Sequence, residues 1–431
     1  MAQLTETVST PESVFTWGGP PLKFGPGAAD EIGHDLGPLG VRRALLLTDP
    51  GVAATGVPAR VAETMRTAGL EVEVYDAVHV EPTDESLRSA VAYARAGDWD
   101  GFVAVGGGSS IDTAKAVNLL TTHPGDLMDY VNKPLGEGKA PTGPLRPLVA
   151  VPTTAGTGAE STPVCIMDIL GLHLKSGISH PRLRPSLAVV DPVLTLTLPR
   201  EVTAAAGMDV LCHALESYTA KPYDAYAHKT PDARVPYCGA NPIADVWSER
   251  ALTLLSGAFR RAVHQGDDLG ARTDMMLAAT FAGLGFGNAG VHIPHACGYP
   301  IAGMVRGYRP PGYPDAPLVP HGQSVSVTAP EAFRFTYAAV PDRHVRAAGL
   351  LDPDVTARVA DPCEALPSAL VSLMRDIGVP SGIAEVGYGE ADVPALVEGA
   401  MKQQRLLDVS PVPVRPEDLD GILRRSLHNW G

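Results

Sequence analysis

Asp209 and His213 stand four residues apart in the stretch GMDVLCHALES, residues 207–217. On a helix this spacing puts a carboxylate and an imidazole on one face, about one turn apart. Met208, Val210, Leu211, Cys212, Ala214 and Leu215 around them are apolar. A helix apolar on nearly all sides is buried, and an unpaired charge inside it is costly. Either Asp209 hydrogen-bonds His213 within a core, or the two share a divalent ion, for which both are good ligands. More histidines follow in glycine-rich apolar settings: His292 and His295 in NAGVHIPHACGYP, and His321 in LVPHGQSV. Asp209 with His213, His295 and His321 makes a ligand set suited to a divalent transition metal with a position left open for substrate. On spacing alone His292, three residues from His295, is an alternative ligand. Glu216, three residues after His213, is expected to orient the His213 ring.

Two loops upstream carry another chemistry. GFVAV (101–105) runs into Gly106-Gly107-Gly108-Ser109-Ser110-Ile111-Asp112, in which Ser109 reads as a helix N-cap with Asp112 three residues on. Glycines let the backbone approach a phosphate, and the first amides of a helix point at it with a favourable dipole. PLVAV (147–151) leads into Thr153, Thr154, Ala155, Gly156, Thr157 and Gly158, whose hydroxyls suit a phosphate, a ribose or a nicotinamide edge. Neither loop is a GxGxxG or P-loop pattern, so each also reads as an ordinary polar turn after a strand.

Something must hold these groups. Strand patterns at 41–48, 70–76, 101–107, 147–151 and 187–192 alternate with helical ones near 57–68 and 84–96. Such alternation means a parallel sheet with helices on its faces, and ligands bind beyond the carboxyl ends of its strands. From about residue 198 the pattern is helical: 200–220, 245–263, 270–284, 324–340, 354–377, 392–406 and a final helix after Pro416. The expected fold is an α/β nucleotide-binding domain with a parallel sheet over residues 1–198, followed by an all-α metal- and substrate-binding domain over 199–431.

The bulk properties agree. The 431 residues are 45% hydrophobic and 19% charged, which is globular composition. A net charge of −14 argues against nucleic acid or an anionic membrane as partner. No apolar run reaches the roughly 18 residues of a membrane span. Five scattered cysteines without a CxxC indicate a reducing compartment, and residues 1–15 lack the features of a secretory or transit leader. The expectation is a cytoplasmic protein acting on small molecules. The polar arm at 1–20 suggests contacts between subunits of a homo-oligomer, taken as a dimer.

GGGSSIDTAK, VPTTAGTGAE, GMDVLCHALE and the His295…His321 pair, in this order, resemble the iron-containing (group III) alcohol dehydrogenase family over nearly the whole chain. The resemblance implies NAD(P) held by Gly106, Gly107, Gly108, Ser109, Ser110, Asp112, Thr153, Thr154 and Thr157. It implies a divalent metal on Asp209, His213, His295 and His321, with Fe2+ usual and Zn2+ compatible with the same donors. Asp49 matches a position that contacts the adenosine ribose, where a carboxylate repels a 2′-phosphate, so NAD is expected over NADP. Three departures stand out: Tyr299 where the common pattern has a second histidine, a long connection at 300–320, and an insertion at 221–244. These are similar to the branch of the family that passes hydride between 4-hydroxybutyrate and 2-oxoglutarate, with an NAD-dependent 4-hydroxybutyrate dehydrogenase as the alternative. Tyr299 then takes the catalytic position. A carboxylate substrate needs a cation, for which the insertions offer Lys229, Arg234, Arg306 and Arg309; Tyr308 and Tyr313 are candidate pocket walls.

Overall fold

The computed structural model describes residues 10–172, 174–234, 236–313 and 315–431. The described residues form eight strands: β1 (Leu22–Phe24), β2 (Arg43–Leu47), β3 (Glu71–Tyr75), β4 (Gly101–Gly106), β5 (Leu148–Pro152), β6 (Val164–Ile169), β7 (Leu174–Ser179) and β8 (Leu187–Val190). Six form one sheet in the order β1-β8-β5-β4-β2-β3, every pairing parallel. Its central strands are apolar throughout: all six residues of β4 and all five of β5 are buried. A parallel sheet covered by helices on both faces requires this. The carboxyl ends of β4 and β5 carry the two loops at 106–110 and 153–158.

Sequence periodicity did not disclose β1 or the antiparallel pair β6–β7. This hairpin stands apart from the main sheet. Lys115, fully buried in the Gly108–Thr122 helix, holds it there, with Nζ donating to the Val164 carbonyl at 2.6 Å and to Thr162 Oγ1 at 3.2 Å.

The rest of the chain is helical. Arg200–Thr219 is buried along almost its whole length, including Asp209, His213 and Glu216. Two long helices, Pro242–His264 and Leu269–Ala289, enclose it. Gly290, at φ +101°, ends the second in a conformation that side chains rarely adopt. The following helix, Ile293–Gly303, leaves at 104° to it and brings His295 back over Arg200–Thr219. The expected helix at 324–340 is two helices, His321–Ser326 and Ala329–Thr336, with Pro330 near the start of the second. The 354–377 stretch likewise divides, into Val355–Arg358 and Ala365–Ile377 around Pro362. No single described helix is long and apolar enough to cross a membrane.

The N-terminal arm, from residue 10 on, folds onto its own chain. Phe15 packs edge-on against Tyr223 at 4.8 Å, and Glu12 accepts from Arg234 at 3.0 Å and from the Lys229 amide at 2.9 Å. These residues of the arm and the 221–244 insertion therefore cover each other within one subunit.

One close approach decides where His321 lies. A Cβ on Gly322 would sit 2.9 Å from the Ala205 carbonyl carbon and 3.0 Å from the Asp209 amide nitrogen, both backbone atoms of a buried helix. Only glycine lets His321–Ser326 pack this tightly on Arg200–Thr219. Gly322→Ala should lower stability by about 1–3 kcal/mol through overpacking and also weaken metal retention. Thermal unfolding with and without chelator, together with metal analysis, checks both effects; wild-type metal content and melting would contradict the packing argument.

Candidate active site

Asp209 and His213 lie on one turn of the Arg200–Thr219 helix, with His213 Nε2 3.6 Å from Asp209 Oδ1. His295 Nε2 approaches the same oxygen to 3.6 Å and His321 Nε2 to 3.8 Å. Two ligands about 2.1 Å from one ion at the tetrahedral angle lie about 3.4 Å apart, so these separations suit donors around a shared cation. Asp209 Oδ1 and His295 Nε2 are buried and have no hydrogen-bond partner among the described residues. Orphaned acceptors in a dry interior are expensive unless something binds them. Asp209, His213 and His295 alone already place three ligand atoms within 4.8 Å of one another. The Phe286 ring stacks on His213 at 3.8 Å and 8° and fixes its plane.

Electrostatics divide the three histidines. Burial works against the Asp209 carboxylate, but His213, His321 and His295 outweigh it and hold the group well below the usual carboxylate range. Burial pushes His213 down to about 3 against the pull of Asp209. His321 is also depressed, again by burial. His295 goes the other way: burial lowers it, but Glu216 and Asp209 outweigh burial and raise it to about 9, so an ion would displace its proton, a neutral imidazole being the metal-binding form.

Glu216 differs from expectation in its partner. Its carboxylate accepts from His295 Nδ1 at 2.5 Å and from the backbone amides of His292 and His295 at 2.8 and 3.2 Å. It therefore orients His295, not His213, and turns His295 Nε2 toward Asp209. The crossing of two helices brings this about, and helical spacing alone does not report it. His292 is excluded as a ligand: its Nε2 meets Thr219 Oγ1 at 3.1 Å, inside the core.

The two loops of the sheet meet each other. A Cβ on Gly107 would touch Thr154 Oγ1 at 3.3 Å, and one on Gly108 would meet Thr157 at 2.7 Å. The Thr153 amide donates to the Gly106 carbonyl at 3.0 Å. The N-cap of the Gly108–Thr122 helix is Gly107, not Ser109, and no side chain caps it. Its first amides are left facing the loop mouth. Ser109 Oγ instead accepts from the Glu81 amide at 3.0 Å. Asp49, buried at the end of β2, caps Pro50–Ala53 through the Val52 amide at 3.0 Å and meets Ser110 Oγ at 3.4 Å. Asp112 turns inward, to Lys115 Nζ at 3.2 Å and the Ile166 amide at 2.9 Å.

Tyr299 is buried, its ring centroid 6.0 Å from that of His321. Burial pushes its phenol far above the usual range, so it stays protonated. The expected carboxylate anchors each have another partner. Arg306 pairs with Asp392 at 2.6 Å and is 72% exposed; Arg309 pairs with Asp315 at 2.7 Å; Arg234 pairs with Glu12 at 3.0 Å. Lys229 lies over the Tyr226 ring at 4.8 Å. Loop cations find the nearest carboxylate of their own surroundings. Tyr308 donates to Gln323 Oε1 at 3.1 Å and so helps seat the helix that carries His321. Sequence reasoning missed Lys175, buried on β7 and paired with Glu81 at 2.5 Å and Asp168 at 3.3 Å. A lysine inside a short apolar-alternating strand was the available signal.

The profile of the iron-containing alcohol dehydrogenases matches residues 20–192, and that of the family's C-terminal part matches 203–427. The chain belongs to this family. It is 43% identical over 429 residues to the mitochondrial hydroxyacid-oxoacid transhydrogenase of Bos taurus, covering 98% of this chain and 92% of the relative. For the Homo sapiens protein of that name the identity is 44% over 412 residues, with 94% and 88% covered. Among solved structures it is similar to a 1,3-propanediol oxidoreductase, at TM-score 0.84 and 32% identity over 96% of this chain and 100% of that one. A sulfoacetaldehyde reductase from Bifidobacterium kashiwanohense in complex with NAD+ aligns at TM-score 0.78 and 26% identity, over 96% of this chain and 99% of that one. NAD and iron are the cofactors of the family, and the buried Asp209, His213 and His295 donors fit the ion. The cytoplasmic expectation does not stand, because these relatives are mitochondrial proteins. The five cysteines are unpaired, which does not single out the cytoplasm.

Glu216→Gln keeps the volume and removes the charge behind His295. Metal affinity should fall about 10- to 100-fold, as measured by competition with a chelator; unchanged affinity would reduce Glu216 to a packing residue.

Proposed function

We propose that the protein transfers hydride between 4-hydroxybutyrate, giving succinate semialdehyde, and 2-oxoglutarate, giving 2-hydroxyglutarate, with NAD and a divalent metal. The observation that carries the reading is the set of four donors, Asp209, His213, His295 and His321, around one oxygen, on a helix that the 153–158 loop touches, where a Cβ on Gly156 would lie 3.2 Å from Ala206 Cβ. The 43–44% identity to transhydrogenases supports it. When bound, the ion supplies Lewis-acid polarisation of a substrate oxygen and the nicotinamide supplies a hydride donor and acceptor.

The roles of the chain's own residues follow. Residues 1–198 would hold the nucleotide: the Gly106–Gly108 turn and the first helix amides would receive the diphosphate, Thr153, Thr154 and Thr157 would offer hydroxyls to it, and Asp49 would contact the ribose. Residues 199–431 hold the metal. Tyr299, protonated and buried beside His321, donates a hydrogen bond to the reacting oxygen. Tyr299→Phe should then lower kcat about 100-fold with metal content kept; an unchanged rate would remove it from the reaction. The enzyme is further taken as a homodimer through β1, an edge strand whose Leu22 is 41% exposed, a state that light scattering reads directly.

In a transhydrogenase the same NAD serves both half-reactions. Purified enzyme given 4-hydroxybutyrate and 2-oxoglutarate without added NAD should form 2-hydroxyglutarate. If no 2-hydroxyglutarate appears while added NAD is reduced stoichiometrically, the protein is a 4-hydroxybutyrate dehydrogenase instead.

A further inference from the structure

The proposed substrates carry carboxylates, yet the loop cations are engaged elsewhere. Lys175 is buried on β7 and neutralised by Glu81 and Asp168. Arg405 is different. It lies half-buried on the short helix Gln404–Leu407, and no carboxylate among the described residues pairs with it. Its guanidinium lies over the Tyr237 ring, 4.6 Å from the centroid, and Nη1 donates to Ser179 Oγ at 3.1 Å. Ser179 ends β7, so this bond crosses from the helical part of the molecule to the β6–β7 hairpin. Gln403 Nε2 makes a parallel crossing to the Lys175 carbonyl at 3.4 Å. Lys175 and Ser179, four apart on a strand, share one face.

Tyr237 is held as firmly as a ligand-site residue. It has φ +72°, a left-handed conformation that a bulky side chain adopts only where its surroundings impose it. The Cys238 and Gly239 amides tie its loop to the Asn288 and Ala289 carbonyls at 2.9 and 3.0 Å. Its ring covers Gly290, where a Cβ would lie 3.2 Å from Tyr237 Cγ. The insertion at 221–244 thus plants an aromatic platform where the chain turns into the His295 helix. The Gln404–Leu407 helix and β7 both pack on Ile293–Gly303, the helix that carries His295 and Tyr299, so Arg405 stands beside the element that holds the site.

We propose that Arg405, stacked on Tyr237, is the specificity-determining residue that binds the substrate carboxylate lying three carbon–carbon bonds from the reacting carbon. This rests on the hydroxyacid–oxoacid reading above. 4-Hydroxybutyrate reacts at C4 and carries its carboxylate at C1; 2-oxoglutarate reacts at C2 and carries its far carboxylate at C5. The separation is the same, so one cation at one distance from the metal ligands serves both half-reactions. A guanidinium fork takes a carboxylate through two parallel bonds, and stacking holds its plane ready.

The test compares kcat/KM for 4-hydroxybutyrate and for its neutral amide, 4-hydroxybutyramide, in the metal-loaded, NAD-bound enzyme. In Arg405→Met the acid-to-amide ratio should fall about a hundredfold. Arg405→Lys, which keeps the charge but not the fork, should lose less; it also reads the same ratio if the Met variant does not fold. An unchanged ratio, or equal losses on acid and amide, overturns the anchor while leaving the activity in place. Wild-type enzyme inactive on both 4-hydroxybutyrate and 2-oxoglutarate overturns the activity, and the anchor with it.

Discussion

The structure depends on a carboxylate placed where a lone charge cannot be tolerated. Asp209 is 2% exposed, and its Oδ1 has no hydrogen-bond partner among the described residues. What surrounds it is three imidazoles, from three different helices, each within 3.8 Å. Desolvation raises the free energy of this cluster, and a cation shared by all four donors offsets it. The helical packing serves that arrangement. Gly290 sets the 104° turn that returns His295, Gly322 permits the contact that delivers His321, and Phe286 fixes the His213 ring.

Glu216 links this cluster to the fold. It is fully buried and accepts three hydrogen bonds from the start of the His295 helix. One carboxylate thereby caps that helix and fixes the His295 tautomer, so helix orientation and ligand orientation cannot vary independently. On the opposite side the sheet presents its loops at the carboxyl ends of β4 and β5, as a parallel sheet does. The β6–β7 hairpin, anchored by Lys115 and touched by Gln403 and Arg405, closes the region between them.

Much of this was legible in the sequence, for a reason that differs by element. The sheet was legible because buried parallel strands read as apolar runs; the i, i+4 spacing of Asp209 and His213 left a core hydrogen bond as open as a shared ion, and the metal reading came from the later histidines and the family resemblance. His292 and His295 were not separable, since both positions are open until the turn at Gly290 points one into the core toward Thr219. Glu216 was found as a residue but given the wrong ring, because a sequence states which side chains share a helix face and not which helix crosses it. The loop arginines failed for a simpler reason: exposed cations pair locally, and Asp392, Asp315 and Glu12 were too far away in sequence, or too ordinary, to be recognised as their partners. Arg405 and Tyr237 come together from distant segments that carry no motif.

Anomalous diffraction at the iron edge on crystals of the purified protein tests the central claim most directly. A single ion is predicted, about 2.0–2.2 Å from Asp209 and from the Nε2 atoms of His213, His295 and His321, with Glu216 on His295 Nδ1. An active protein whose ion lies elsewhere, or that holds none at these four residues, would contradict it.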